Sequence, residues 1–288
     1  MKVKTGKERY AFSDNPRVSV VIPSLDGKRE GNLSRLIEDF KKQTFKSLEV
    51  IVIKNVSPQG RAINMGAVEA RGEILLIADD DSRIDNPSVI ENFLKALDGD
   101  PTVGMVGASI LVPPDANWLQ KKAAAEFPRF GMKVVEKTTE SDMACHGCCA
   151  IPKKIFEEVG GERENIVRGL DPDLRFRLRQ KGYRTVLAAN TWVYHPLPGT
   201  LGKLLKTFFR NGMGSAYCFK KQPGLVYDTD EILELKAFQP KTTFLQRIFR
   251  FPIRIMKAIV ECKFLRALGY IVYAAGFLYG VLKYSLVK

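Results

Sequence analysis

The chain has 288 residues, with 45 Lys and Arg against 32 Asp and Glu, so its formal net charge is +13 with both His neutral. At about 100 to 200 residues per domain this length excludes a lone peptide module and fits one large domain, or a domain with an appendage. A hydrophobic fraction of 45% with 27% charged residues excludes wholesale disorder and supports a packed core.

Residues 17–23 (RVSVVIP) predict a buried strand ending at Pro23. Asn32 to Gln43 then places Leu33, Leu36, Ile37 and Phe40 at helical spacing, and LEVIVI (48–53) predicts a second strand. RAINMGAVEAR (61–71) is a short helix, EILLIAD (73–79) a third strand, Pro87 to Leu97 another helix and VGMVGASIL (103–111) a fourth strand. The first three strands are continuous, β-branched apolar runs rather than alternating ones. Strands buried on both faces belong to parallel sheets covered by helices, so a doubly wound α/β fold is expected.

In open parallel sheets the ligand lies beyond the carboxyl ends of the strands. The polar residues there are Pro23-Ser24-Leu25-Asp26, Lys54-Asn55 and Asp79-Asp80-Asp81-Ser82. Three consecutive Asp after an apolar strand repel one another unless a cation compensates them, and oxygen ligands favour Mg or Mn. The same run also suits a helix N-cap with solvated acids.

In the order VSVVIPS, LEVIVI, GRAINMGAVEARGEILLIADDDS, HGCCAIPKKIFEEVGG, GLDPDLRFRLRQKGYRTVLAANTWVYHP and FFRNG, roughly residues 17–215 resemble the family 2 glycosyltransferases. The resemblance implies the GT-A fold, a mostly parallel sheet flanked by helices, and an enzyme using a nucleotide-sugar donor with Mn or Mg. It places Asp79 and Asp80 on the nucleotide side and makes Asp81 a metal ligand, with His195 a candidate second one. Asp171 matches the general base that acts on the acceptor hydroxyl, which implies inversion by direct displacement. Arg210 matches a basic residue near the donor diphosphate. Pro23, Ser24 and Asp26 fall at the nucleotide.

The chain also departs from the family. Lys54-Asn55 stands where an Asp usually pairs with the donor base, and an ammonium has no acceptor capacity. Asn55 can pair with uracil or guanine, and Arg61 is expected to stack on or pair with the nucleotide. Leu170 replaces the Glu that usually precedes Asp171, and Asp173 reads as a cap or supporting charge. The cluster ACHGCC (144–149) lacks a second ligand pair for zinc, and the odd, irregular set of five Cys argues against a disulfide scaffold. The start MKVKTGKERY has no apolar signal core, so a cytoplasmic location is expected.

The positive excess lies late in the chain. Residues 1–199 carry 30 basic and 27 acidic residues, and the remainder 15 and 5. After Thr242 the basic residues Arg247, Arg250, Arg254 and Lys257 run beside Phe244, Ile248, Phe251, Ile255 and Ile259, with Pro252 between them. A cationic amphipathic helix at an anionic membrane surface is expected, not a nucleic-acid arm. Ala267 to Leu282 carries no charge and predicts a membrane-embedded or re-entrant helix. Its Gly276 and Gly280 are spaced to admit a second helix, including one from another copy of the chain.

The expected organisation is an N-terminal extension (1–16), a catalytic domain (17–222), a linker (223–241) and a membrane-associating tail (242–288). The expected activity is metal-dependent, inverting transfer to a lipid-linked or membrane-proximal acceptor at the cytoplasmic face. The rivals are transfer to a soluble polysaccharide or protein acceptor, and a degenerate relative that only binds nucleotide-sugar.

Overall fold

The computed structural model describes residues 5–127, 131, 133–221 and 244–285. The expected linker at 223–241 and the Arg247 side chain lie outside the described residues. The chain divides into two compact units, one of residues 5–111 and 133–195, the other of 112–131, 196–221 and 244–285.

The first unit contains β1 (Gly6–Ala11), β2 (Val18–Ser24), β3 (Leu48–Lys54), β4 (Ile74–Ile77), β5 (Val103–Leu111), β6 (Thr139–Glu140), β7 (Cys149–Pro152) and β8 (Arg184–Tyr194). In chain order the helices are α1 (Asn32–Lys41), α2 (Gln59–Glu69), α3 (Val89–Gly99), α4 (Trp118–Glu126), α5 (Lys153–Glu158), α6 (Leu170–Gln180), α7 (Leu201–Lys221), α8 (Phe244–Val260) and α9 (Phe264–Ser285). Of these, α4 and α7 to α9 belong to the second unit.

The eight strands form one sheet in the order β1-β3-β2-β4-β7-β5-β8-β6. β3, β2 and β4 pair in parallel, as do β5 and β8, while β7 runs antiparallel between β4 and β5. The apolar runs of the sequence are the central strands, buried on both faces. Leu33, Leu36, Ile37 and Phe40 of α1 pack into the same core. Gly66 lets α2 lie close on β2, because a Cβ there would stand 2.2 Å from Val21 Cγ1.

β1 occupies part of the expected N-terminal extension and pairs antiparallel with β3 at the sheet edge. Its GKERYA sequence alternates between exposed and half-buried residues, so it lacks an apolar run. Beyond the backbone ladder and the Lys7–Glu69 and Glu8–Lys54 ion pairs, it is tied to Glu49, a fully buried acid within the apolar strand β3. The Glu49 carboxylate accepts from Ser19 Oγ at 2.7 Å, the Arg71 amide at 2.9 Å, Arg71 Nε at 3.0 Å and Arg9 Nη1 at 2.8 Å. Burial works to raise its pKa, but the Arg71 amide, Ser19 and the two guanidinium groups outweigh this and hold it below the ordinary value. Removing the charge while retaining the shape takes the carboxylate from Arg71 Nε and from Arg9 Nη1, the latter keeping Glu69 on its other nitrogen. Glu49→Gln is therefore expected to lower stability by about 2–3 kcal/mol in urea denaturation at pH 7. Because the folded pKa is depressed, the parent's advantage is full above about pH 4.3 and fades as pH falls through the lower folded value.

In the second unit, Leu204, Phe208, Gly212 and Ala216 make a buried stripe along α7. The helix α9 meets α7 through small residues: a Cβ on Gly276 would lie 2.1 Å from the Phe209 carbonyl oxygen, and one on Gly212 2.1 Å from that of Tyr273. The helix admitted by the Gly276 and Gly280 spacing is thus α7 of the same chain. Phe251 of α8 stacks on Tyr273 of α9 with ring centroids 5.7 Å apart. Of the expected apolar stripe of α8, Phe251 and Ile255 are half-buried and Ile259 is exposed, while the Phe244 and Ile248 side chains lie outside the described residues; Phe249, Ile253, Met256 and Val260 are exposed as well.

Candidate active site

β2, β4, β5 and β8 run in the same direction, so their carboxyl ends share one edge of the sheet, where the opposed strand β7 begins. Just past β4, Arg83 pairs antiparallel with Tyr194 through two backbone hydrogen bonds of 2.9 Å. That bridge brings His195, which follows β8, to the acidic run. His195 Nε2 lies 3.1 Å from Asp81 Oδ1 and 3.6 Å from Asp79 Oδ2. One ligand atom from each of Asp79, Asp81 and His195 lies within 4.8 Å of the others, close enough to hold one metal ion.

The electrostatics match this arrangement. Burial opposes charge on His195, yet its hydrogen bonds to Asp79 and Asp81 outweigh that and push its pKa up to about 10. Burial likewise acts to raise Asp81, but His195 and Arg29 hold it well below the usual carboxylate range. Two carboxylates and one imidazole, with no thiolate, form a donor set suited to Mn2+ or Mg2+. A proton on His195 and a divalent cation are alternative ways to balance the same charges.

Asp80 shares Arg29 with Asp81 but lies outside this three-ligand group. Ser24 Oγ donates to its Oδ2 at 2.7 Å, and Arg29 Nε approaches its Oδ1 at 3.5 Å. Burial raises its pKa despite both contacts. Asp79, placed by the resemblance on the nucleotide side, lies in the group with Asp81 and His195 and also accepts from Gln59 Nε2 at 2.6 Å. Asn32 Nδ2 donates to the carbonyls of Asp80 and Ser82, at 2.9 and 3.0 Å, and fixes the turn.

The remaining nucleotide-side residues divide. Pro23 and Ser24 end β2 beside Asp80. The Asp26 carboxylate is engaged by the amides of Lys28 and Arg29, at 2.9 and 2.8 Å, so it shapes its own loop. Asn55 has a left-handed φ of 60° and donates its amide to the Ser24 carbonyl at 3.2 Å, which puts it at the same strand ends. Lys54, the unexpected cation, pairs with Glu8 of β1 at 2.5 Å. Arg61 is exposed on α2, 4.0 Å from Glu164. Arg210 is exposed on α7, in the second unit.

Asp171 lies in the first turn of α6 and is half-exposed. Its Oδ1 accepts the His146 amide at 2.6 Å and stands 3.3 Å from His146 Nδ1. On the other side of that ring, Nε2 lies 2.9 Å from Glu162 Oε1, off the line of a straight hydrogen bond. Burial opposes charge on His146, but Asp171 and Glu162 outweigh it and push its pKa up to about 9. Leu170, where the family has Glu, is buried against Gly60 at the start of α2. Asp173 is fully buried and paired with Arg177 at 2.8 Å, a structural role. Cys148 and Cys149 are buried, and burial raises both thiol pKa values, which keeps them protonated.

Sequence reasoning missed Arg29, Gln59 and Glu162. Arg29 forms a charged hydrogen bond to Asp81 from a loop whose only signal is Asp26 and Gly27. Gln59 and Glu162 carry no local motif, and only the chain path brings them to the site.

The profile described as Glycosyltransferase like family 2 matches residues 11–214. The chain belongs to this family. A curated relative, the O-antigen biosynthesis protein RfbC of Myxococcus xanthus, is 25% identical over 232 residues, which cover 65% of this chain and 18% of that protein. The chain thus spans less than a fifth of this relative's length. Among solved structures, a mannosyltransferase of Pyrobaculum calidifontis, PcManGT, in complex with GDP-Man and Mn2+, aligns with a TM-score of 0.59 at 13% identity over 93% of this chain and 89% of that one. This likeness confirms the expected GT-A architecture of the family, which here includes four antiparallel pairings in the sheet.

Proposed function

We propose that the protein transfers a sugar with inversion from a nucleotide-sugar to a lipid-linked or membrane-proximal acceptor, at the cytoplasmic face of a membrane. The observation that carries the reading is the metal-sized Asp79, Asp81 and His195 cluster at the same sheet edge as Asp171. The solved complex of PcManGT with GDP-Man and Mn2+ supports a nucleotide-sugar and a divalent cation here too. Asp79, Asp81 and His195 would hold Mn2+ or Mg2+, which supplies neutralising charge to the departing diphosphate. Asp80, Ser24 and Pro23 border the nucleotide, Asn55 reads its base, and Arg61 and Asp26 contact it at the rim. Asp171 takes the acceptor hydroxyl proton as the acceptor oxygen bonds to the anomeric carbon and the nucleoside diphosphate leaves with the bonding pair.

A panel of UDP-, GDP- and dTDP-sugars, each with Mn2+ or Mg2+, tests this reading by donor binding and slow hydrolysis without acceptor. Binding and metal-dependent hydrolysis of at least one donor is the expected result. Failure of every donor to bind would overturn it.

The acceptor assignment rests on the helices α8 and α9. Phe249, Ile253, Met256 and Val260 form an exposed apolar stripe on α8, flanked by the exposed cations Arg250 and Lys257. Phe264–Tyr284 is long and apolar enough to cross a membrane, with mean hydropathy 1.5. An oily surface rimmed by positive charge fits an anionic lipid leaflet. Changing Phe249, Ile253 and Met256 together to Glu is expected to reduce binding to phosphatidylglycerol vesicles at least tenfold in sedimentation. Unchanged binding would favour the soluble-acceptor reading.

A further inference from the structure

We infer that His146 and Glu162 are positioning residues for Asp171, and that the turn containing His146 sets the base against the metal ligands. This rests on the assignment of Asp171 as base. Residue 146 faces both ways. Its carbonyl accepts the Asp79 amide at 2.9 Å, while its own amide donates to Asp171 Oδ1 at 2.6 Å. One residue thus spans the donor-side cluster and the acceptor-side base. Its ring adds a second contact to the same carboxylate oxygen at 3.3 Å, so the Asp171 carboxylate is oriented by two groups of one residue.

The surroundings hold this ring in place. Its side chain is 3% exposed and Glu162, behind it, fully buried. Glu162 is fixed in turn by Asn64, whose Oδ1 accepts the Glu162 amide at 2.7 Å and whose Nδ2 donates to the Glu162 carbonyl at 2.8 Å. Ser82 Oγ donates to the Gly147 carbonyl at 2.6 Å, joining the turn to the acidic run again. The fully buried Arg175 of α6 donates to the Ala144 carbonyl, which ties the helix carrying Asp171 to the same segment. Placing a buried acid behind an imidazole costs desolvation that a packing role alone would not require. What it provides is a fixed ring orientation, and small misplacements of a reacting group carry large rate costs.

The test uses the full chain, with the panel donor that the parent hydrolyses fastest in Mn2+ as probe. Glu162→Gln retains the shape behind the ring and is expected to lower kcat about threefold to tenfold at unchanged donor KM. On that neutral background, His146→Leu fills the volume without a donor, and His146→Asn restores an N–H near the Nδ1 position. The leucine double variant is expected to lose a further 30-fold or so in kcat, of which asparagine recovers most, both at unchanged donor KM. Equal kcat in the two double variants, or a KM that moves with kcat, would overturn the inference. Should the leucine variant not fold, Glu162→Gln decides: a kcat within twofold of the parent counts against the role. Asp171→Asn, measured alongside, reports on the base by itself. If it hydrolyses donor like the parent, the base reading fails; if it is inactive while the His146 and Glu162 variants match the parent, only the positioning role fails.

Discussion

Asp81→Ala is expected to abolish high-affinity Mn2+ binding, read as the return of the free-ion signal in electron paramagnetic resonance, and to lower donor hydrolysis by about 10²–10³-fold. Three ligand atoms meet in this cluster, and Asp81 is the one closest to His195, at 3.1 Å. Removing it leaves one carboxylate and one imidazole, too few protein ligands to hold a hard cation against water. Asp80→Asn provides the contrast. Asp80 is bonded to Ser24 and approached by Arg29, outside the three-ligand group. That variant is expected to retain Mn2+ while weakening donor binding, so the two neighbouring acids separate into a metal defect and a donor defect. A common loss of Mn2+ in both variants would show that the whole acidic run acts as one site.

The difference between these acids marks what could be read from the sequence. An acidic run after the strand ILLI points to the sheet edge where Asp79 and Asp81 meet His195, because strand burial and chain direction are local properties. Which of three consecutive Asp faces which partner depends on the turn at residues 79–82, with Ser82 donating its amide to the Asp79 carbonyl, and on the Arg83–Tyr194 bridge. The turn is local, but the bridge links segments more than a hundred residues apart. The strands β2 to β5 and the helices α1 to α3 were legible for the same local reason. β1 was not, because an edge strand with one half-buried face needs no apolar run. In α8, helical periodicity reports a face but not its occupant. Phe251 stacks on Tyr273, leaving Phe249, Ile253, Met256 and Val260 outside. Nothing in ACHGCC indicates the two carboxylates that flank the His146 ring from residues 162 and 171.

Asp171→Asn is expected to lower turnover at least about 10³-fold while donor and Mn2+ affinities stay within about threefold of the parent. The substitution keeps size and position: an amide oxygen can still accept the His146 amide, as Oδ1 does at 2.6 Å. It removes only the capacity to take a proton near neutral pH, so the loss belongs to the chemical step. Two features of the site make the separation clean. Asp171 comes from the first turn of α6, whereas the metal-sized cluster comes from the segments after β4 and β8. The buried Leu170 beside it already packs as an apolar residue, so no neighbouring carboxylate from the usual Glu position can take over the proton. Asp173 cannot substitute either, being fully buried and paired with Arg177. An Asp171→Asn protein that retains wild-type turnover would require a base outside α6 and would leave the cluster as a donor-binding centre without its assigned acceptor chemistry. Loss of turnover with loss of donor binding would instead show that the α6 turn supports the nucleotide side, which the His146 link from Asp171 to the Asp79 amide makes a measurable alternative.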